Sequence, residues 1–96
     1  MSEQEGVLQR LYDTIASRKT ADPNSSYTAK LLHQGRTMIA KKMGEEAVET
    51  AIAAVAKDSD AVVAESADLI YHLLVLLASR GVPWTAVEAE LDRRKR

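Results

Sequence analysis

The segment that most constrains the fold spans residues 61–78 and reads AVVAESADLIYHLLVLLA. At about 100° per residue its apolar side chains cover the whole circumference of a helix, not one stripe, so we expect a buried helix. A membrane span would need roughly 20 apolar residues. The uncharged part extends only from Leu69 to Ser79, and the acids Glu65 and Asp68 precede it. We therefore interpret the segment as a core helix that does not enter a membrane.

The remainder of the chain also has the composition of a helical protein. Hydrophobic residues make up 46% of the 96 residues and aromatic residues 4%, and Ala, Leu, Val and Ile recur in long periodic runs. This pattern predicts an all-α fold, a bundle of four to five helices in one domain over residues 1–96. The helices are expected at about 3–19, 27–33, 36–56, 60–80 and from 83 into the basic run 93–96.

Capping residues and glycines mark the ends of these predicted helices. Ser25 or Ser26 can cap the second helix, Gly35 ends it, and Ser59 or Asp60 can cap the fourth. Gly81 suits the position after that helix. In the last helix we expect Pro83 in the first turn, Trp84 as a packing residue, and Val87 and Leu91 facing the core.

Charge and cysteine content exclude several classes of function. The chain has no cysteine, which rules out a disulfide framework, a thiolate zinc site and a cysteine nucleophile. A formal charge of −1 argues against a general nucleic-acid binder, which would need a basic surplus. The first six residues, MSEQEG, lack the features of a signal peptide, so we expect a cytoplasmic protein. One chain of this size cannot easily surround the core helix, which predicts a homodimer.

Two pairs of acids occupy consecutive predicted helices. Glu46 and Glu49 are three residues apart, as are Glu65 and Asp68, and a short turn joins the two helices. Because such helices pack antiparallel, the four carboxylates should converge on one patch. Oxygen-only ligands favour a hard cation such as Mg²⁺ or Mn²⁺, and Mg²⁺ in turn implies a phosphate-bearing ligand. An alternative for the first pair and Glu45 is a solvated helix face paired with nearby lysines, Lys41 and Lys42.

Three segments carry a resemblance to a known family: SYTAKLL at 26–32, KMGEEAVET at 42–50 and ESADLIYHLLV at 65–75. Together they are similar to the phosphoribosyl-ATP pyrophosphohydrolase family, within the all-α nucleoside-triphosphate pyrophosphatases. Met38, Lys41 and Met43 depart from the family pattern. The resemblance implies magnesium-dependent hydrolysis of phosphoribosyl-ATP to phosphoribosyl-AMP and pyrophosphate, the second step of histidine biosynthesis. It also implies that the magnesium ligands are Glu46, Glu49, Glu65 and Asp68, with Glu45 an additional acidic group.

Further roles follow as hypotheses. Glu45 or Glu49 could act as the general base. Three cations near the acids in sequence are candidates for binding substrate phosphates: Lys30, Arg36 and Lys42. Tyr27 could contact the substrate or anchor a short helix. His72 could contact a metal ligand without binding the metal itself, or it could belong to the core. Two other functions stay open, a house-cleaning pyrophosphatase for non-standard nucleoside triphosphates and a non-catalytic helical dimer module.

Overall fold

The computed structural model describes residues 6–95, which form five α-helices and no strand. The helices are α1 (Val7–Ser17), α2 (Tyr27–Gln34), α3 (Arg36–Ala56), α4 (Ser59–Arg80) and α5 (Trp84–Arg93). The predicted all-α class is confirmed, and every predicted helix is present. Within the described residues, periodicity and turn residues therefore located each element.

Several of the predicted helix ends are confirmed by their local geometry. The hydroxyl oxygen of Ser26 accepts a hydrogen bond from the amide of Ala29 at 3.0 Å and so caps α2. Gly35 separates α2 from α3 with φ +98°, and Gly81 follows α4 with φ +76°. Both values lie in the region that glycine reaches without steric cost, which explains why the chain breaks at these residues.

Three predicted ends are wrong by a few residues. Helix α1 ends at Ser17 rather than near Lys19; its described part begins at Val7 after an extended Gly6, and the predicted start at Glu3 lies outside the described residues. Asp58, not Ser59 or Asp60, caps α4, because its carboxylate accepts the amide hydrogen of Ala61 at 2.9 Å. Pro83 precedes α5 instead of lying in its first turn.

The core lies where all the other helices meet the C-terminal half of α4. A two-residue connection makes α3 and α4 an antiparallel hairpin. Helix α1 packs on α4 and α5, and α2 packs on α3 and α4. The buried cluster contains Ile15, Leu31, Ile39, Leu74, Val75, Ala78 and Trp84. Trp84 thus packs as predicted and Val87 adjoins the core, but Leu91 is 62% exposed, contrary to prediction, because it lies beyond the turns of α5 that reach the core.

The opposite end of the hairpin has little cover from the rest of the chain. We call this end the hairpin tip and define it by its exposed apolar residues, Val48, Ile52, Val55 and Val63. Val55 is 89% exposed and Val63 is 68% exposed. In the single chain the N-terminal half of α4 is therefore largely uncovered, because the buried core contacts lie toward its other end. Burial of the whole helix depends on the predicted homodimer and stays a prediction. By length and apolarity alone α4 could cross a membrane, but the core helix of a soluble protein passes the same test.

Candidate active site

Three of the predicted metal ligands come together between α3 and α4. Glu46, Glu49 and Glu65 each offer a carboxylate oxygen, and these oxygens all lie within 4.8 Å of one another. We call these three residues the acidic cluster. The fourth predicted ligand, Asp68, is outside this group, although its charge contributes to the electrostatics of Glu46. The antiparallel hairpin thus produces the predicted convergence for three carboxylates.

Glu46 is a half-buried member of the acidic cluster. Its Oε2 atom is buried and has no hydrogen-bond partner among the described residues. Burial raises the pKa of Glu46, followed by repulsion from Glu49, Asp68 and Glu65, while His72 opposes the rise. A buried carboxylate oxygen without a partner is costly unless a proton or a cation reaches it. The cluster therefore has the donor set and the unmet charge that suit a hard divalent cation.

The alternative of a simple surface charge network receives no support from the lysines. In the part of the chain that the structure describes, neither Lys41 nor Lys42 forms an ion pair with an acid of α3. Ion pairs do form at the end of α5, where Glu90 pairs with Arg93 and Arg94, and Lys95 pairs with Asp92. These lysines of α3 therefore do not neutralise the acids of the same helix.

Aromatic side chains adjoin the acids on the side of α2. The Tyr27 hydroxyl lies 3.2 Å from Nε2 of His72, which is a buried residue, and Nδ1 of His72 lies 2.7 Å from the carbonyl oxygen of Asp68. The Tyr27 ring stacks on Tyr71 with centroids 6.2 Å apart. The Tyr71 hydroxyl in turn bonds to Thr28. These contacts fix the start of α2 against α4 beside the cluster.

Sequence reasoning missed Tyr71 and Thr28. The available signal was adjacency, because Tyr71 precedes His72 and Thr28 follows Tyr27 in the segments that carry the family resemblance. For Tyr27 the sequence leaves two roles open, a contact with the substrate and an anchor for α2. Its exposed ring and its bond to His72 are compatible with both roles.

The two candidate general bases face an open concavity on α3. Glu45 and Glu49 are exposed, and with Gly44 and Val48 they line a volume of about 620 Å³. Glu49 therefore belongs both to the acidic cluster and to this open surface, whereas Glu45 is outside the cluster. Either carboxylate is accessible to water.

The predicted phosphate-binding cations lie at different distances from the acids. Lys42 is half-buried and one helical turn before Glu46, whereas Lys30 and Arg36 are exposed. Arg36 lies ten residues before Glu46 on α3, which corresponds to about 15 Å along the helix. With Lys19, Arg36 lines a separate cavity of about 180 Å³. Along α3, Lys42 is therefore within about one turn of Glu46, whereas Arg36 is almost three turns away.

Relatives of known name match almost the whole chain. The family model for phosphoribosyl-ATP pyrophosphohydrolase matches residues 8–95. A protein named phosphoribosyl-ATP pyrophosphatase from Rhizorhabdus wittichii is 57% identical over 90 residues, which cover 94% of this chain and 85% of the relative. A protein of the same name from Caulobacter vibrioides is 60% identical over 93% of this chain and 82% of its own length. The chain therefore belongs to the phosphoribosyl-ATP pyrophosphohydrolase family.

Proposed function

We propose that this chain hydrolyses phosphoribosyl-ATP to phosphoribosyl-AMP and pyrophosphate, the second step of histidine biosynthesis. Family membership and the shared name of the relatives support this reaction. The observation that carries it is the convergence of three carboxylates, one of which, Glu46, also has a buried oxygen without a hydrogen-bond partner in the described part of the chain. The ligand is a small molecule, neither a nucleic acid nor a membrane takes part, and we expect the enzyme in the cytoplasm.

The residues present fit a magnesium ion. In this proposal its ligands are Glu46, Glu49, Glu65 and Asp68, of which Asp68 completes the set from outside the acidic cluster. Magnesium, when bound, neutralises phosphate charge and makes a bound water more acidic. Without a cation the four carboxylates would repel a triphosphate, so the chain's own charges require one. His72 supports the position of Asp68, because Nδ1 of His72 forms a hydrogen bond with the backbone carbonyl oxygen of Asp68.

The exposed carboxylates supply the base. A water oxygen bonds to phosphorus while the anhydride bond between the AMP phosphate and pyrophosphate breaks. Glu45 or Glu49 takes the proton that the water loses, and pyrophosphate leaves with the electron pair of the broken bond. Both side chains face the open concavity on α3, where water has access.

Cationic and aromatic side chains would bind the rest of the substrate. Lys42, one turn from Glu46, is placed for the triphosphate, and Lys30 is exposed on α2. Arg36, at about 15 Å from Glu46 along α3, is better placed for the phosphate at the far end of an extended substrate. The exposed ring of Tyr27 offers a surface for stacking.

We propose that the active form is a homodimer. The hairpin tip exposes Val48, Ile52, Val55 and Val63 on the same half of the molecule as the acids. An apolar surface of this kind is typical of a protein–protein contact. A second copy of the chain would cover it and enclose the adjacent site.

The test is pyrophosphate release from phosphoribosyl-ATP with and without magnesium, beside a panel of nucleoside triphosphates. We expect magnesium-dependent release from phosphoribosyl-ATP in preference to the panel, and its loss in Glu49→Ala and Asp68→Ala with helical content unchanged. Glu88→Ala, which removes an exposed acid of α5, is the control and should retain activity. Full turnover in Glu49→Ala or in Asp68→Ala would contradict the assigned roles, and equal turnover of the panel would contradict the substrate.

A further inference from the structure

A cavity at the C-terminal end of α2 is lined by two cations and, among the described residues, by no acid. Its volume is about 180 Å³, and the residues that line it are Lys19, Leu32, Gly35, Arg36 and Ser79. Pockets that hold a drug-sized ligand occupy roughly 300–1,000 Å³. This cavity therefore fits a small charged group rather than a whole nucleotide.

The two cations of this cavity have no partner in the part of the chain that the structure describes. Neither Lys19 nor Arg36 forms an ion pair or a side-chain hydrogen bond there. The cations at the end of α5, in contrast, pair with acids of their own helix. Two like charges that line one small cavity repel each other, and an anion between them relieves that repulsion. The charge of the cavity therefore favours an anionic ligand.

The backbone at the start of α3 adds further donors to the two side chains. The residue before α3 is Gly35, which has no side chain to cap the helix, and the first turn contains no acid. The first helical hydrogen bond is donated by the amide of Ile39, so the amides of residues 36–38 have no carbonyl partner within the helix. Such amides carry partial positive charge and favour a phosphate. Ser79 adds no donor, because its hydroxyl already donates to the carbonyl oxygen of Leu76 at 2.7 Å.

We propose that Lys19, Arg36 and the first amides of α3 bind a phosphate monoester in this cavity, separately from the acidic cluster. Arg36 lies ten residues before Glu46 on α3, about 15 Å along the helix. Ser79 lies 14 residues after Glu65 on α4, about 21 Å along that helix. The phosphate belongs either to the monoester end of phosphoribosyl-ATP, opposite its triphosphate, or to a separate phosphate ester. The assignment to the substrate rests on the proposed function, whereas the anion site does not.

The test is a titration with ribose 5-phosphate, followed by nitrogen-15 NMR of the backbone amides without metal or substrate. Ribose 5-phosphate should shift the amide signals of residues 35–37, whereas ribose at the same concentrations should not. Lys19→Gln and Arg36→Gln should each weaken binding by about tenfold, because each removes one charged donor. Lys41→Gln removes an exposed lysine of α3 that does not line the cavity and should bind as the wild type does. Absence of the phosphate-specific shifts, or equal weakening in Lys41→Gln, would overturn the proposal.

Steady-state kinetics with phosphoribosyl-ATP and magnesium distinguish the two sources of the phosphate. If the cavity receives the phosphate of the substrate, Lys19→Gln should raise KM by about tenfold with kcat nearly unchanged, and ribose 5-phosphate should compete with the substrate. If a separate phosphate ester binds there, KM stays at the wild-type value and ribose 5-phosphate binds beside the substrate. The anion site is supported in both cases.

The same measurements separate this inference from the proposed function. If ribose 5-phosphate shifts the amides of residues 35–37 but the protein does not hydrolyse phosphoribosyl-ATP, the proposed function fails and the anion site stands. If the protein hydrolyses phosphoribosyl-ATP but ribose 5-phosphate shifts none of these amides, only the anion site fails.

Discussion

Glu46→Gln should make the metal-free protein more stable, although it removes a residue of the proposed active site. Burial and the neighbouring carboxylates raise the pKa of Glu46 above its ordinary value of 4.5, so the ionised side chain destabilises the folded chain. A neutral amide of nearly the same shape removes this charge. The expected sign is therefore opposite to that of most substitutions, which destabilise.

The magnitude follows from the separation of the acids. Glu46 has two cluster partners, Glu49 and Glu65, with oxygens within 4.8 Å. Each like-charge pair at that distance costs about 0.9 kcal/mol even with the full dielectric screening of water. Because the site is partly open to solvent, we expect Glu46→Gln to gain about 1–2 kcal/mol at neutral pH. For a domain of this size each 1 kcal/mol corresponds to about 4–8 °C in Tm.

The pH dependence gives the sharper assay. The folded-state pKa of Glu46 is raised, so its destabilisation is absent below about pH 4.5, grows between that pH and the raised pKa, and is complete above the raised pKa. The Tm difference between Glu46→Gln and wild type, measured by circular dichroism with a chelator present, should thus be largest near pH 7 and vanish near pH 4. Saturating magnesium should reverse the order, since a ligand at 100 times its Kd stabilises the wild type by about 2.7 kcal/mol.

The residue directly before Glu46 provides a matched control. Glu45 is an exposed acid of the same helix outside the acidic cluster, and Glu45→Gln should shift Tm by far less at every pH. A Tm for Glu46→Gln that equals or falls below wild type at pH 7 would refute the reasoning. An equal gain in Glu45→Gln would show that net charge, rather than the cluster, is responsible.

Three further predictions concern packing, capping and assembly. Leu74 is fully buried, so Leu74→Ala should cost about 2–5 kcal/mol in urea unfolding, whereas Leu91→Ala at an exposed site should change stability by less than about 0.5 kcal/mol. Ser26→Ala removes the cap of α2 and should cost about 1 kcal/mol; no loss of thermal stability would contradict that cap. Val55→Asp at the hairpin tip should convert a dimer to a monomer in light scattering, and an unchanged mass would place the interface elsewhere.

The helices were predictable because local signals agree. Apolar periodicity, the cap at Ser26 and the glycines at 35 and 81 all act over a few residues. The cap of α4 was misplaced because Asp58, Ser59 and Asp60 can all accept an amide hydrogen, and only the path of the chain selects one. Local sequence therefore determines which helices form more firmly than where each begins.

The candidate site was predictable in part, for a different reason. Spacing on two antiparallel helices brings Glu46, Glu49 and Glu65 to one level. Asp68 lies outside the group, and spacing alone does not give the positions of carboxylate oxygens, which also depend on helix packing and side-chain conformation. The bond between Tyr27 and His72 joins residues 45 positions apart and depends on how α2 docks, which spacing alone does not reveal.

The separation between the packed core and the hairpin tip has a consequence for how such a chain can evolve. The residues of the buried core, among them Ile15, Leu31 and Leu74, are not the residues of the acidic cluster. The core packs around the C-terminal half of α4, away from the hairpin tip. Substitutions near the cluster therefore remove few of the contacts that fold the domain. Selection can alter ligand preference in that half, or lengthen the connection after Ala56, while the same buried residues keep the chain folded.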